Sequence, residues 1–225
     1  MVVFIIYNGG FLDMKYKYVS PVVIKRLPRY YRYLDEMLQK NITRISSTEL
    51  SKKMGVTASQ IRQDLNCFGG FGQQGYGYNV EFLHDKIGDI LGINRGYKMI
   101  IVGAGNLGHA LANHGNFIKR GFHLTGIYDT NRDIIGTTIS NIVVEDYKNI
   151  VESVKEKKPD IAILAVPKSA VNQVAQTLIQ CGVKGFMNFT YAELDVGSDV
   201  VVENVHISDT LMTIAYKLTE ENNIL

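Results

Sequence analysis

The spacing of apolar positions changes partway along the chain. Across residues 22–39 they recur at helical intervals, with Val23, Leu27, Tyr30, Tyr31, Leu34 and Leu38 among them. Pro28 reads as the first turn of the main helix there, where a missing N–H costs little. From about residue 97 the pattern becomes short, β-rich apolar runs separated by amphipathic stretches. Residues 98–102, 123–128, 143–144, 160–166, 183–189 and 200–205 read as strands, and residues 146–157 and 169–180 as helices. This alternation predicts an α/β unit with a doubly wound parallel sheet of Rossmann type, its ligand at the carboxyl ends of the strands. Residues 207–219 form a last amphipathic helix through Ile207, Leu211, Ile214 and Leu218. The pattern leaves open whether that helix packs on its own sheet or on a partner.

Between these regions lie two capping signals. Ser46-Ser47-Thr48-Glu49 has the S-x-x-E form and opens a short helix, Gly55-Val56 makes a turn, and Thr57-Ala58-Ser59-Gln60 opens a second helix. Two short capped helices around a glycine turn read as a helix-turn-helix. Ile61 and Leu65, four apart, face its core and leave Ser59, Gln60, Arg62 and Gln63 outward. Arginine reads guanine and glutamine reads adenine in the major groove, so these residue types suit base edges. The glycine-dense stretch from Phe68 to Val80 then reads as a hairpin, the wing of a winged helix, with Gln73, Gln74 and Gly75 offered to DNA.

Charge sharpens this division. The whole chain is ordinary, with 46% apolar and 20% charged residues and a net charge of +2. Residues 14–80, however, carry 11 Lys/Arg against 4 Asp/Glu, whereas residues 81–225 carry 13 against 17. A basic front on an acidic back points to a polyanionic partner for the front. Lys25, Arg26, Arg29 and Arg32 crowd the start of the first helix and suit phosphate contact.

The most specific motif is Gly103-Ala104-Gly105-Asn106-Leu107-Gly108, which follows an apolar run and precedes a helix-prone stretch. Gly103 allows the tight turn, Gly105 admits a pyrophosphate to the backbone N–H groups, and Gly108 allows close helix–strand packing. The next strand ends at Asp129, 21 residues beyond Gly108. An acid there accepts hydrogen bonds from the adenosine ribose and repels a 2′-phosphate, which favours NAD(H). Arg132 stands nearby, as a possible 2′-phosphate partner or a solvated loop charge. Val166, Pro167, Asn188 and Phe189 end two further strands and are read as walls for the nicotinamide.

Other classes fit less well. The opening apolar stretch is too short to span a bilayer and lacks signal-peptide features; Met14 is a possible start, with residues 1–13 a poorly ordered or non-native extension. Cys67 and Cys181 lack metal-type spacing and fit a reducing cytoplasm. A small NAD-dependent oxidoreductase with a helical appendage is the competing reading, but no substrate domain is left over. His114 and His206 are the only histidines placed to serve such a site, and isolated histidines are more often structural. The expected domains are residues 14–90, winged helix; 91–205, dinucleotide-binding; and 206–225, a C-terminal dimerisation helix.

Taken together, S-Q-I-R-Q-D-L-N-C-F-G-G-F-G-Q-Q-G-Y-G-Y-N-V, G-A-G-N-L-G, L-A-V-P and K-G-F-M-N-F-T resemble the Rex family of redox-sensing transcriptional repressors over about residues 19–220. The resemblance implies a cytoplasmic homodimer with a swapped C-terminal helix, released from an inverted-repeat operator by NADH and permitted to bind it by NAD+. Two departures stand out. Gln63 and the pair Gln73-Gln74 replace usual basic residues and Cys67 a usual tyrosine, which lowers the phosphate-seeking charge. The family's tyrosine–aspartate switch pair matches His114 and His206, together with His114 as a cofactor neighbour, while Arg26 keeps the family's competing arginine. The latch is then built differently, or sensing is weakened or pH-modulated.

Overall fold

The computed structural model describes residues 3–4, 17–73 and 75–222. The expected extension over residues 1–13 lies outside these residues except at Val3–Phe4. The chain divides into two compact units, Met1–Asn94 and Arg95–Leu225.

In the front unit, β1 (Val3–Phe4) pairs antiparallel with β2 (Lys17–Tyr18). Helix α1 (Pro21–Gln39) follows, capped by the Ser20 side chain on the Val22 N–H and started by Pro21 in its first turn. The helix therefore begins a full two turns before the position expected from Pro28, which sits inside it on the exposed face. Buried Leu27, Tyr30 and Leu34 flank Pro28 and keep the helix continuous, although an interior proline costs about 3 kcal/mol. Strand β3 (Arg44–Ile45) leads to α2 (Ser47–Met54), whose Ser46–Glu49 capping box is complete. Gly55, at φ +66°, ends α2 in the left-handed conformation that glycine adopts without penalty. Next come α3 (Ala58–Asn66), the hairpin β4 (Gly72–Gln73) and β5 (Gly77–Asn79), and α4 (Val80–Leu91). A three-stranded antiparallel sheet runs in the order β3-β5-β4. One core joins these elements through Leu27, Leu34, Leu50, Ile61, Leu65 and Leu83.

The back unit is a sheet with helices. In chain order it holds β6 (Tyr97–Val102), α5 (Asn106–Ala112), α6 (Asn116–Lys119), β7 (Phe122–Asp129), β8 (Thr138–Ile139) and β9 (Ile142–Asp146). Then follow α7 (Ile150–Lys157), β10 (Ile161–Leu164), α8 (Val171–Gln180), β11 (Gly185–Asn188), β12 (Val201–Asn204) and α9 (Ile207–Asn222). The strand order is β12-β11-β10-β6-β7-β9-β8, parallel throughout except for β8. This edge hairpin departs from the expected all-parallel sheet. Its signal is the two-residue turn Ser140-Asn141, with φ +51° and +65°, between β-prone pairs.

The chain winds outward from β6 to β9 and then returns to β10 on the other side of β6. The carboxyl ends of β6 and β10 thus form the topological switch point, where this architecture binds ligands. Helices α7 and α8 bury one face through Ile150, Val154, Val174 and Leu178. Among the described residues, short α5 and α6 pack on the opposite face.

Candidate cofactor and nucleic-acid sites

The glycine motif lies at the switch point. Gly103 has φ +99°, and a Cβ there would meet the Ala165 carbonyl at the end of the neighbouring strand. Gly108 is pressed on the Gly103 carbonyl, so any side chain would push α5 off the sheet. Gly105 differs: nothing lies within 4 Å of where its Cβ would stand. It is the N-cap of α5, and among the described residues no side chain caps the N–H groups that follow. Two glycines fix the backbone and the third leaves open space beside unfilled N–H donors, a cradle suited to a pyrophosphate. Ala104 is buried in this loop, while Asn106 and Leu107 are exposed at its mouth.

Asp129 ends β7 beside that loop, half-buried. Its Oδ2 accepts a 2.6 Å hydrogen bond from the Ala104 N–H, and Oδ1 accepts one of 2.8 Å from the Asn131 N–H. The carboxylate therefore holds the glycine loop and keeps further acceptor lone pairs beside it. Asp146 lies opposite it across β7–β9 and is held below the ordinary carboxylate range by hydrogen bonds from the Lys148 side chain and backbone. Arg132 is exposed on the following loop, near enough to Asp146 to lower that carboxyl too. Val166 and Phe189 are half-buried and Pro167 exposed at the strand ends.

Asn188 does not wall the cleft with its side chain. It is fully buried, and its amide donates to the Ala192 carbonyl and Asn204 Oδ1 while accepting from the Thr190 N–H and hydroxyl. That fills its hydrogen-bonding capacity and makes it the pin of the 188–192 turn. His114 also departs from its expected place beside the cofactor. Helix α5 carries the chain about 10 Å back along the sheet. His114 there borders a cavity of about 130 Å³ with Met99, His123, Leu124 and Ser140, away from the glycine loop. His206 instead lies near the carboxyl edge, with Nε2 3.1 Å from the Thr190 carbonyl, Nδ1 3.5 Å from Asp209 and its ring stacked on Tyr191.

In the front unit, Arg26 is not free to compete for a distant aspartate. Its Nε and Nη2 donate to the two carboxylate oxygens of Asp64 at 2.6 and 2.7 Å, and Asp64 is completely buried on α3. Tyr30 donates to the same carboxylate at 2.8 Å, as does Gln60 Nε2. Burial alone would raise the Asp64 carboxyl; the hydrogen bonds from Arg26, Gln60 and Tyr30 and the Arg26 charge overcome it and hold it below the ordinary range. Releasing Arg26 would strand a buried charge, at about 3–5 kcal/mol. Asp64 was not singled out from the sequence; its signal was an acid three residues after core-facing Ile61 and next to core-facing Leu65.

The second capping motif is only half formed. Thr57 accepts from the Gln60 N–H at 3.1 Å, but the Gln60 side chain turns to Asp64 instead of back to Thr57. Ser59, Arg62 and Gln63 are exposed on α3. Arg62 donates to Ser47 Oγ at 3.0 Å and lines a cavity of about 580 Å³ with Ser46, Asn66, Gly72, Gly75 and Tyr78, between α3 and the hairpin. Gln74 and the Gln73 side chain lie outside the described residues. Arg29 donates to the Met54 carbonyl at 2.8 Å, tying α1 to the end of α2.

Comparison with known proteins follows the same division. Residues 18–66 match the family described as "Putative DNA-binding protein N-terminus", and residues 94–192 the "CoA binding domain" family. The redox-sensing transcriptional repressor Rex of Thermoanaerobacter sp. (strain X514) is 53% identical over 203 residues, covering 90% of this chain and 91% of the relative. The crystal structure of RSP in complex with β-NAD+ and operator DNA superimposes with a TM-score of 0.86 at 52% identity, over 92% of this chain and 95% of RSP. RSP in complex with β-NADH gives 0.85 at 49% identity, over 92% and 97%. Since half the residues are shared over nine-tenths of both chains, spanning the basic helical unit as well as the glycine-loop sheet, this chain belongs to the Rex family of redox-sensing transcriptional repressors, regulators rather than enzymes.

Proposed function

We propose that the chain is a homodimeric repressor that binds an inverted-repeat DNA operator through residues 14–90 and NAD(H) through residues 91–205, and that NADH releases the operator. The observation that carries this reading is the match, over nearly the whole chain, to RSP captured with both β-NAD+ and operator DNA. The local geometry fits it. Exposed Ser59, Arg62 and Gln63, with half-buried Gln60, offer base-reading and phosphate-seeking groups on α3, and the hairpin supplies a wing through Gly75.

At the back unit, the open space at Gly105 would take the pyrophosphate, and Asp129 the adenosine ribose. Ala104, Asn106, Leu107, Val166, Pro167 and Phe189 would complete the walls. When bound, the nicotinamide supplies the redox signal: its two forms differ by one positive charge and in ring planarity. The chain's part is to hold the two forms in dimer conformations of different DNA competence, since only differential affinity shifts a population.

Dimerisation is assigned to residues 206–225. Helix α9 leaves Ile207, Leu211, Ile214 and Leu218 each at least 49% exposed, too much apolar surface for a helix without a partner. The face of the sheet that α5 and α6 leave uncovered holds an apolar cavity of about 320 Å³ around Phe117, Ile161, Ile163, Met187 and Val201. A second copy's α9 fits that face. Among the described residues no helix is long and apolar enough to cross a membrane; we place the protein in the cytoplasm, with the DNA it regulates.

The test is a titration of NADH and NAD+ into the protein–operator complex. Release at lower NADH than NAD+ concentration is expected. Equal sensitivity to the two forms would refute the sensor while leaving DNA binding intact.

A further inference from the structure

The Gln60 side chain sits between a buried anchor and solvent. Its Nε2 donates to Asp64 Oδ1 at 2.8 Å, and among the described residues no donor of the chain engages its Oε1. The only buried side-chain polar atom without a partner among the described residues is His84 Nε2, so Gln60 Oε1 reaches solvent. Asp64 itself cannot turn, because Arg26 grips both of its oxygens and Tyr30 adds a third bond. An ionised carboxylate only accepts hydrogen bonds. Flipping the Gln60 amide would aim its oxygen at that carboxylate, so one orientation is enforced.

We infer that Asp64 is a positioning residue for sequence reading: it locks the Gln60 amide in the orientation that complements adenine in the major groove. The inference rests on the reading that the front unit binds operator DNA. A primary amide has two N–H donors. If the N–H directed away from Oε1 is the one given to Asp64, as the inference requires, Oε1 and the adjacent N–H stay together on the outward edge. Adenine presents the matching pair, an N6–H donor beside the N7 acceptor. An unanchored glutamine would also offer the flipped arrangement, whereas this one is set before DNA arrives, and no ordering cost falls on binding.

The experiment uses the full-length dimer with NAD+ and an operator selected by this protein from random duplexes. Each adenine is replaced in turn by 7-deazaadenine, which lacks the N7 acceptor. The wild type should lose roughly 5- to 100-fold in affinity at one adenine per half-site. Gln60→Ala should be insensitive there, and Asp64→Asn should lose most of that sensitivity while other positions respond as before. In the double variant, Asp64→Asn should add nothing at that position once Gln60 is alanine. Wild type and Gln60→Ala responding alike at every adenine would overturn the inference. Selection of no operator at all would overturn the DNA-binding reading, and this inference with it. If Asp64→Asn fails to fold, amide exchange in the free wild type decides: one protected Gln60 amide proton supports the lock, and two exchanging at the solvent rate refute it.

Discussion

The Ala104 N–H donates a 2.6 Å hydrogen bond to Asp129 Oδ2, so the acid at the end of β7 holds the glycine loop in place. Charge-assisted bonds of this kind contribute about 1.5–3 kcal/mol. Asp129→Ala should therefore weaken NADH and NAD+ alike, by roughly 10- to 100-fold in calorimetric titration. Operator affinity without cofactor should not change, and a parallel loss of both would point to damage of the fold instead.

The three glycines of the loop should separate in their effects. Gly105→Val enters open space at an ordinary backbone angle, so the variant should melt like the wild type yet bind neither form of NAD(H). Gly108→Ala drives its methyl against the Gly103 carbonyl and should lower the melting temperature itself. Thermal unfolding beside cofactor titration distinguishes the two.

The Arg26–Asp64 pair makes the front unit acid-sensitive. Asp64 has a folded-state value below its unfolded one, near 3.9, so its contribution is fully present above about pH 4 and is lost as pH falls through the lower folded value. Tyr30, raised chiefly by burial and by its bond to Asp64, contributes below about pH 10, and that contribution is lost as pH rises through its folded value. Arg26→Ala should destabilise the unit by about 3–5 kcal/mol in denaturant titrations. Arg62→Ala, on the exposed face, should leave stability within about 0.5 kcal/mol and cost about 1–3 kcal/mol of operator affinity.

Charges placed on the apolar stripe of α9 should break the dimer. Leu211→Asp with Ile214→Asp is expected to sediment as a folded monomer with lower operator affinity, because an inverted repeat is then gripped by one half at a time. Retention of the dimer would put the interface elsewhere.

What the sequence by itself determined is local. The Ser46–Glu49 capping box, the Gly55 turn, the glycine loop and the strand ending at Asp129 depend on residues a few positions apart, whose backbone and capping chemistry is legible without the fold. Helical spacing over residues 22–39 marks the span of α1, whereas Pro28 suggests a later first turn; two prolines compete, and burial of Val23 and Leu27 between them selects the earlier one. Only the tertiary structure decided the partners. Arg26 meets Asp64 across 38 residues, Ala104 meets Asp129 across 25, and Asn188 meets Asn204 across 16. Helix α5 sets His114 away from the loop that its neighbours form. A side chain's polar partner depends on which helices and strands pack together, and desolvation then makes each pairing obligatory. Local spacing carries the elements of this chain, but burial assigns Arg26, Gln60 and Asn188 their work.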